Sequence, residues 1–141
     1  MQKFEYLDHT ADLKVRAKGK TLEEAFENVA LGAVNFITDV SKVRKKDEHK
    51  VSVRSKRLES LLYDFLEELL YLIDTEGFLF SGASKMVIAK EADGEYSLSC
   101  KALGDSYKSY ERKGDLKAVT YSDMEINEKR GGFEVIVVFD I

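Results

Sequence analysis

The last seven residues, Val135-Ile136-Val137-Val138-Phe139-Asp140-Ile141, are apolar except for one aspartate beside the final carboxylate. A buried strand with that ending gathers negative charge where water is scarce, which is costly unless the charge is paired. A hard cation such as Ca²⁺ or Mg²⁺ would relieve it, because both take carboxylate and carbonyl oxygen. Asp12, at the start of a strand able to neighbour the last one, is the candidate third oxygen donor. His9 is close in sequence, but its imidazole nitrogen suits zinc or a structural hydrogen bond better. A simpler arrangement is also open: Asp140 paired with a lysine and a solvated terminus. Residue types alone favour that simpler one.

Lys117 is the second point of chemical interest, flanked by Leu116, Ala118 and Val119. A lysine in such a run ordinarily faces water; alternatively it reaches a phosphate, a carboxylate or a partner's active site. The sequence has no phosphate loop, no paired-cysteine metal motif and no glycine-flanked nucleophilic serine. His9 with Asp8 and Asp12 offers a base and its orienter, the beginnings of a metal hydrolase, but no convincing nucleophile accompanies them. His49 lies in a charged segment and is expected to be exposed.

The elements that must position these groups follow from hydrophobic spacing. Leu58, Leu61, Leu62, Phe65, Leu66, Leu69, Leu70 and Ile73 recur with a helix period from Leu58 to Asp74, with an acidic opposite face, and Gly77 supplies the stop. Thr21 and Glu24 form a capping box ahead of a second helical pattern, Leu22 to Ile37. This first helix is expected beside the other on the same sheet face. The remainder alternates: Phe4 and Tyr6, then Leu13 to Ala17, make two strands around the loop Asp8-His9-Thr10-Ala11. Ser41 to Lys50 reads as a loop before a strand at Val51 and Val53. Asp93-Gly94 marks a hairpin between a strand around Met86 to Ala89 and one at Tyr96 to Cys100. Leu116 to Tyr121 is predicted to extend through Met124 and Ile126 to a turn at Arg130-Gly131-Gly132. The last strand, Phe133 to Ile141, is apolar enough to be covered on both faces at a sheet centre. The expected architecture is α+β: a single-domain, mostly antiparallel β-sheet layered with two α-helices.

Composition sets the outer limits. A chain of 141 residues with 44% hydrophobic content can build one core. No apolar run approaches membrane-spanning length and the first residues lack a signal-peptide segment, so a soluble cytoplasmic protein is expected, with no membrane partner. The single cysteine, Cys100, is expected as a small buried hydrophobe. Net charge is −4, yet Lys42 to Arg57 holds eight basic residues against Asp47 and Glu48. That segment is first a solvated loop and strand edge; an RNA-binding patch is the sharper alternative, weakened by the lack of interleaved aromatics.

His9-Thr10-Ala11-Asp12 near the start, Leu116-Lys117-Ala118-Val119-Thr120-Tyr121 late in the chain, and Phe139-Asp140-Ile141 at the end together resemble the archease family. The order and spacing of these motifs, with the leucine-rich helix and the Thr21-Leu22-Glu23-Glu24-Ala25-Phe26 helix start, extend the resemblance over essentially the whole chain. The resemblance implies a non-catalytic accessory protein that assists an RtcB-type RNA ligase in tRNA splicing. It promotes metal-dependent guanylylation and repeated turnover, broadens nucleotide use and meets tRNA through the ligase. It also implies a divalent metal site at Asp12, Asp140 and Ile141, calcium first and magnesium or manganese next, and a partner-activating role for Lys117. An older proposal for the family, chaperoning a tRNA methyltransferase, comes with it. Archeases often carry a histidine after the Thr-Tyr pair; this chain has Ser122 there.

Overall fold

The leucine-rich stretch forms α2 (Leu58–Glu76), which buries Leu61, Leu62, Phe65, Leu66, Leu69 and Leu72. Leu72 joins this face although it lies off the expected stripe, while Leu58, Leu70 and Ile73 are only partly covered. Gly77 ends the helix in the left-handed region at φ +63°, its N–H donating to the Ile73 carbonyl at 3.0 Å. α1 (Leu22–Ile37) begins where expected, with the Thr21 hydroxyl accepting the Glu24 N–H at 3.1 Å. The returning arm differs from a standard capping box: Glu24 accepts the N–H of Lys20, one residue before the cap, at 3.0 Å.

The computed structural model describes residues 3–141, and its strands divide into two antiparallel sheets where one had been expected. The first holds β1 (Phe4–Leu7), β2 (Asp12–Gly19), β6 (Ala118–Val119), β7 (Glu125–Lys129) and β8 (Gly132–Asp140), in the order β1-β2-β8-β6 with β7 also paired to β8. The second holds β3 (Asp47–Ser55), β4 (Phe78–Lys90) and β5 (Tyr96–Ser106), in the order β3-β5-β4. α1 packs on β2, β8 and β4, whereas α2 packs chiefly on β3, β4 and β5, so the helices do not lie side by side on one sheet face. A single core fills the space between the layers, with Phe65 stacked on Phe26 at 6.4 Å and edge-on to Phe80 at 6.3 Å.

Three local expectations are corrected. β3 starts at Asp47 rather than Val51, because the charged residues Asp47 to Lys50 pair with β5 at a sheet edge, where side chains can reach water without burial. His49 is accordingly a strand residue, half-buried with its ring 4.5 Å from that of Phe78. β6 is only two residues long: a turn in which the Met124 N–H reaches the Tyr121 carbonyl breaks the run, and β7 begins afresh at Glu125. Arg54 in β3 is taken up by Glu91, Asp93 and Glu95 around the β4–β5 hairpin.

The far edge of β4 is bonded to α1: Glu27 accepts the Ala83 N–H at 2.7 Å and Glu23 accepts that of Ile88 at 3.1 Å. Cys100 is buried, and burial pushes its thiol up to about 11, aided by the charge of Glu27. No helix among the described residues is long and apolar enough to cross a membrane. Phe65 sits where the rings from both layers meet, so Phe65→Ala should lower unfolding free energy by about 3–5 kcal/mol in urea titration.

Candidate functional site at the end of the central strand

β8 is buried from Val135 to Phe139, with Val135, Val137 and Phe139 at 0% exposure on the core side and Val138 at 1% on the other. Asp140 is the first exposed residue after this run. The antiparallel register sets Asp12 of β2 directly opposite Asp140, and on the other flank sets Ala118 of β6 opposite it. Directly paired residues point to the same face with Cβ atoms about 5 Å apart. Two carboxylates therefore share one face at the end of the sheet, with Ile141 following at 39% exposure.

Lys117 lies just before β6, exposed, and its main-chain N–H donates to the Asp140 carbonyl at 2.8 Å. That bond fixes the Lys117 backbone beside Asp140 and leaves the ammonium in water. The four residues singled out from the sequence, Asp12, Lys117, Asp140 and Ile141, are thus brought to one end of the first sheet.

Two loops close over the same end. His9 is held between acids, with Nδ1 3.4 Å from Asp12 Oδ2 and Nε2 3.5 Å from Asp123 Oδ2. Nδ1 is buried and lacks a hydrogen-bond partner of good geometry. Lys14 also reaches Asp123, at 3.4 Å. The turn carrying Asp123 is pinned from the other side by Tyr121, which stacks on Tyr63 of α2 at 4.3 Å and 11°. Ser122, where the family often has histidine, is exposed in this turn and donates its N–H to Thr120 Oγ1 at 3.2 Å. Asp123, Lys14 and Tyr63 were not singled out from the sequence. Lys14 and Asp123 meet through the pairing of β2, β6 and β8, and Tyr63 arrives through the packing of α2 beside β6; no spacing rule signals either.

The donor set suits a hard cation. It consists of oxygen: two carboxylates in register and a main-chain carboxylate next to one of them. Among the described residues no three His, Cys, Asp or Glu side chains gather into a metal cluster, and the Ile141 carboxylate is the further oxygen donor nearest in sequence to Asp140. His9 Nδ1 stands 3.4 Å from the Asp12 carboxylate, within a small shift of the contact by which a group behind a ligand orients it. Asp140→Asn, by removing a like charge opposite Asp12, should raise stability by a few tenths to about 1 kcal/mol in urea with chelator present. A loss of stability there would mean that Asp140 is already neutralised by the protein.

The Archease protein family (MTH1598/TM1083) matches residues 4–141. The protein archease of Methanosarcina barkeri is 43% identical over 142 residues, covering 99% of this chain and 97% of its own length. That of Pyrococcus furiosus is 47% identical over 134 residues, covering 94% and 93%. The solution structure of Methanobacterium thermoautotrophicum protein 1598 superposes with a TM-score of 0.82 at 36% identity, over 100% of both chains. An archease of Thermotoga maritima, described as a possible chaperone, shares the fold at a TM-score of 0.60 and 18% identity, over 97% and 96%. A family match across the described chain, relatives above 40% identity and a shared α+β fold agree, and the chain belongs to the archease family.

Proposed function

We propose that this protein is a cytoplasmic, non-catalytic activator of an RtcB-type RNA ligase in tRNA splicing, acting through the end of β8. The observation that carries the reading is the register that pairs Asp12 with Asp140 and ties Lys117 to the same strand end. Membership of the archease family supports it from a second direction.

In this reading Asp12, Asp140 and the Ile141 carboxylate hold one divalent ion, calcium first and magnesium or manganese next. Bound there, the ion would supply positive charge for phosphate chemistry in the partner's active site. Three protein ligands are fewer than the roughly six to eight oxygens calcium takes, which leaves positions for water or for the ligase. On metal binding His9 would close on the Asp12 carboxylate and orient it, and Lys117 offers a second, protein-borne positive charge to the ligase or its nucleotide. The exposed position of Asp140, Ile141 and Lys117 suits entry into another protein's site. The activator contacts tRNA through the ligase.

The test is multiple-turnover RNA ligation by a matched ligase with GTP and divalent metal. Wild type should stimulate, and Asp140→Ala should reduce both metal affinity and stimulation by at least the roughly 10–100-fold typical of groups behind a ligand, while retaining the wild-type circular dichroism. Lys117→Ala should keep metal affinity and lose stimulation. Residues added after Ile141 should impair stimulation by displacing its carboxylate. Stimulation untouched by Asp140→Ala would sink the metal assignment. Nucleotide turnover by the isolated protein would instead favour a hydrolase built on His9 and Asp12.

A second reading, chaperoning of a tRNA methyltransferase, is favoured by the description of the Thermotoga maritima relative as a possible chaperone. It predicts a change in the solubility of the methyltransferase, with no change in ligase turnover.

A further inference from the structure

The opposite end of the first sheet carries a concave site. There β2 ends at Gly19, β8 begins at Gly132, and the β7–β8 turn runs through Arg130 and Gly131. Between them opens a cleft of about 400 Å³, within the range of pockets that take small molecules. Eight residue steps along β8 separate it from Asp140, about 26 Å at strand rise.

The floor is bare main chain. A Cβ at position 132 would strike the Gly19 carbonyl oxygen, and one at position 19 would strike the Ala25 amide nitrogen. Gly131 sits at φ +84°, where a side chain is strained whatever the space. The glycines at 19 and 132 thus let the end of β2, the start of β8 and the first turn of α1 come together, which shapes the floor.

The walls are cationic. Lys18, Lys20, Lys129 and Arg130 line the cleft and all four are exposed. Among the described residues none of the four has a carboxylate within 4.0 Å, although Arg54, Lys14, Arg16 and Arg112 elsewhere do. Even Lys18, whose cross-strand neighbour is Glu134, makes no ion pair with it. Four unpaired cations around a glycine floor, in a chain of net charge −4, attract an anion locally against the overall field.

We propose that this cleft binds the phosphate of a nucleotide, presented free or within single-stranded RNA. Arg130 offers a planar fork and the lysines offer point charges, both suited to phosphate oxygens. Half-buried Phe133 gives the cleft an apolar, aromatic edge against which a base can lie. Glu134, also in the lining, repels phosphate and carboxylate alike, and its distinguishing contribution is as an acceptor for a ribose hydroxyl or a base N–H. The site is separate from the Asp12–Asp140 end, so the proposal stands whether or not the ligase reading does.

The experiment is fluorescence anisotropy of a labelled single-stranded RNA decamer, at several salt concentrations, with the whole chain. Lys129→Glu/Arg130→Glu should weaken binding more than tenfold and lower the salt slope by about 1.4, the share of two phosphate contacts on a single strand. Lys129→Gln/Arg130→Gln should give a smaller loss in the same direction and guards against misfolding of the charge reversal. Lys46→Glu/Lys50→Glu makes the same charge change in the basic segment on and before β3 and should leave affinity within twofold. Displacement of the RNA by GTP would identify a single nucleotide as sufficient, and retention would identify the strand. The proposal is overturned if wild type does not bind RNA at low salt, if both charge reversals weaken binding equally, or if a hexaglutamate peptide competes as well as RNA.

Discussion

Burial of β8 on both faces is the constraint on which the rest of the structure depends. Five consecutive residues, Val135 to Phe139, are shielded from water on both faces, with α1 packed against the strand. Each such side chain gains about 1.5–3 kcal/mol on burial, of order 10 kcal/mol for the run. The like charges of Asp12 and Asp140 oppose the same register by about 1 kcal/mol at most. Apolar burial therefore decides the register, and the acidic pair follows from it. A slip of one residue would turn Lys14 and Arg16 of β2 toward the core, so no neighbouring register is accessible.

The loops that complete this end of the sheet carry backbone strain. Ala11 and Asp123 both adopt left-handed conformations, at φ +63° and +52°, although neither is glycine. A left-handed residue with a Cβ costs roughly 1–2 kcal/mol, and it persists only where the surroundings fix it. Here His9 spans the two loops between Asp12 and Asp123, and the Tyr63–Tyr121 stack fastens the second loop to α2. The long helix thus has a side chain reaching the site as well as a face in the core.

Both helices, the Thr21 start of the first, the Gly77 stop of the second and the doubly buried last strand were legible from the sequence, because each is written in local spacing. The conjunction of Asp12 with Asp140 was legible in outline, since an acid at the start of one strand can meet an acid at the end of its antiparallel neighbour. The division into two sheets was not. Antiparallel strands alternate in the same way whichever sheet they join, and the choice rests on how α1 and α2 wedge between layers. Nor was the early start of β3 legible, because an edge strand tolerates Asp47, Glu48 and Lys50 as readily as a loop does. The His9–Asp123–Lys14 contacts escaped for a related reason: they join residues more than 100 positions apart.

The contacts of Glu23 and Glu27 with β4 bear on how the molecule behaves in a crowd. An outer strand ordinarily presents a row of open amides on which another chain can add a strand of its own. On β4 the amides of Ala83 and Ile88 are already occupied by carboxylates from α1, and register irregularities at Ser81 and at Lys85–Met86, the first of this pair at φ +54°, break the flatness that a templated strand would need. The helix therefore serves as a lock on self-propagating sheet growth, on the side of the molecule where the longest strand would otherwise invite it.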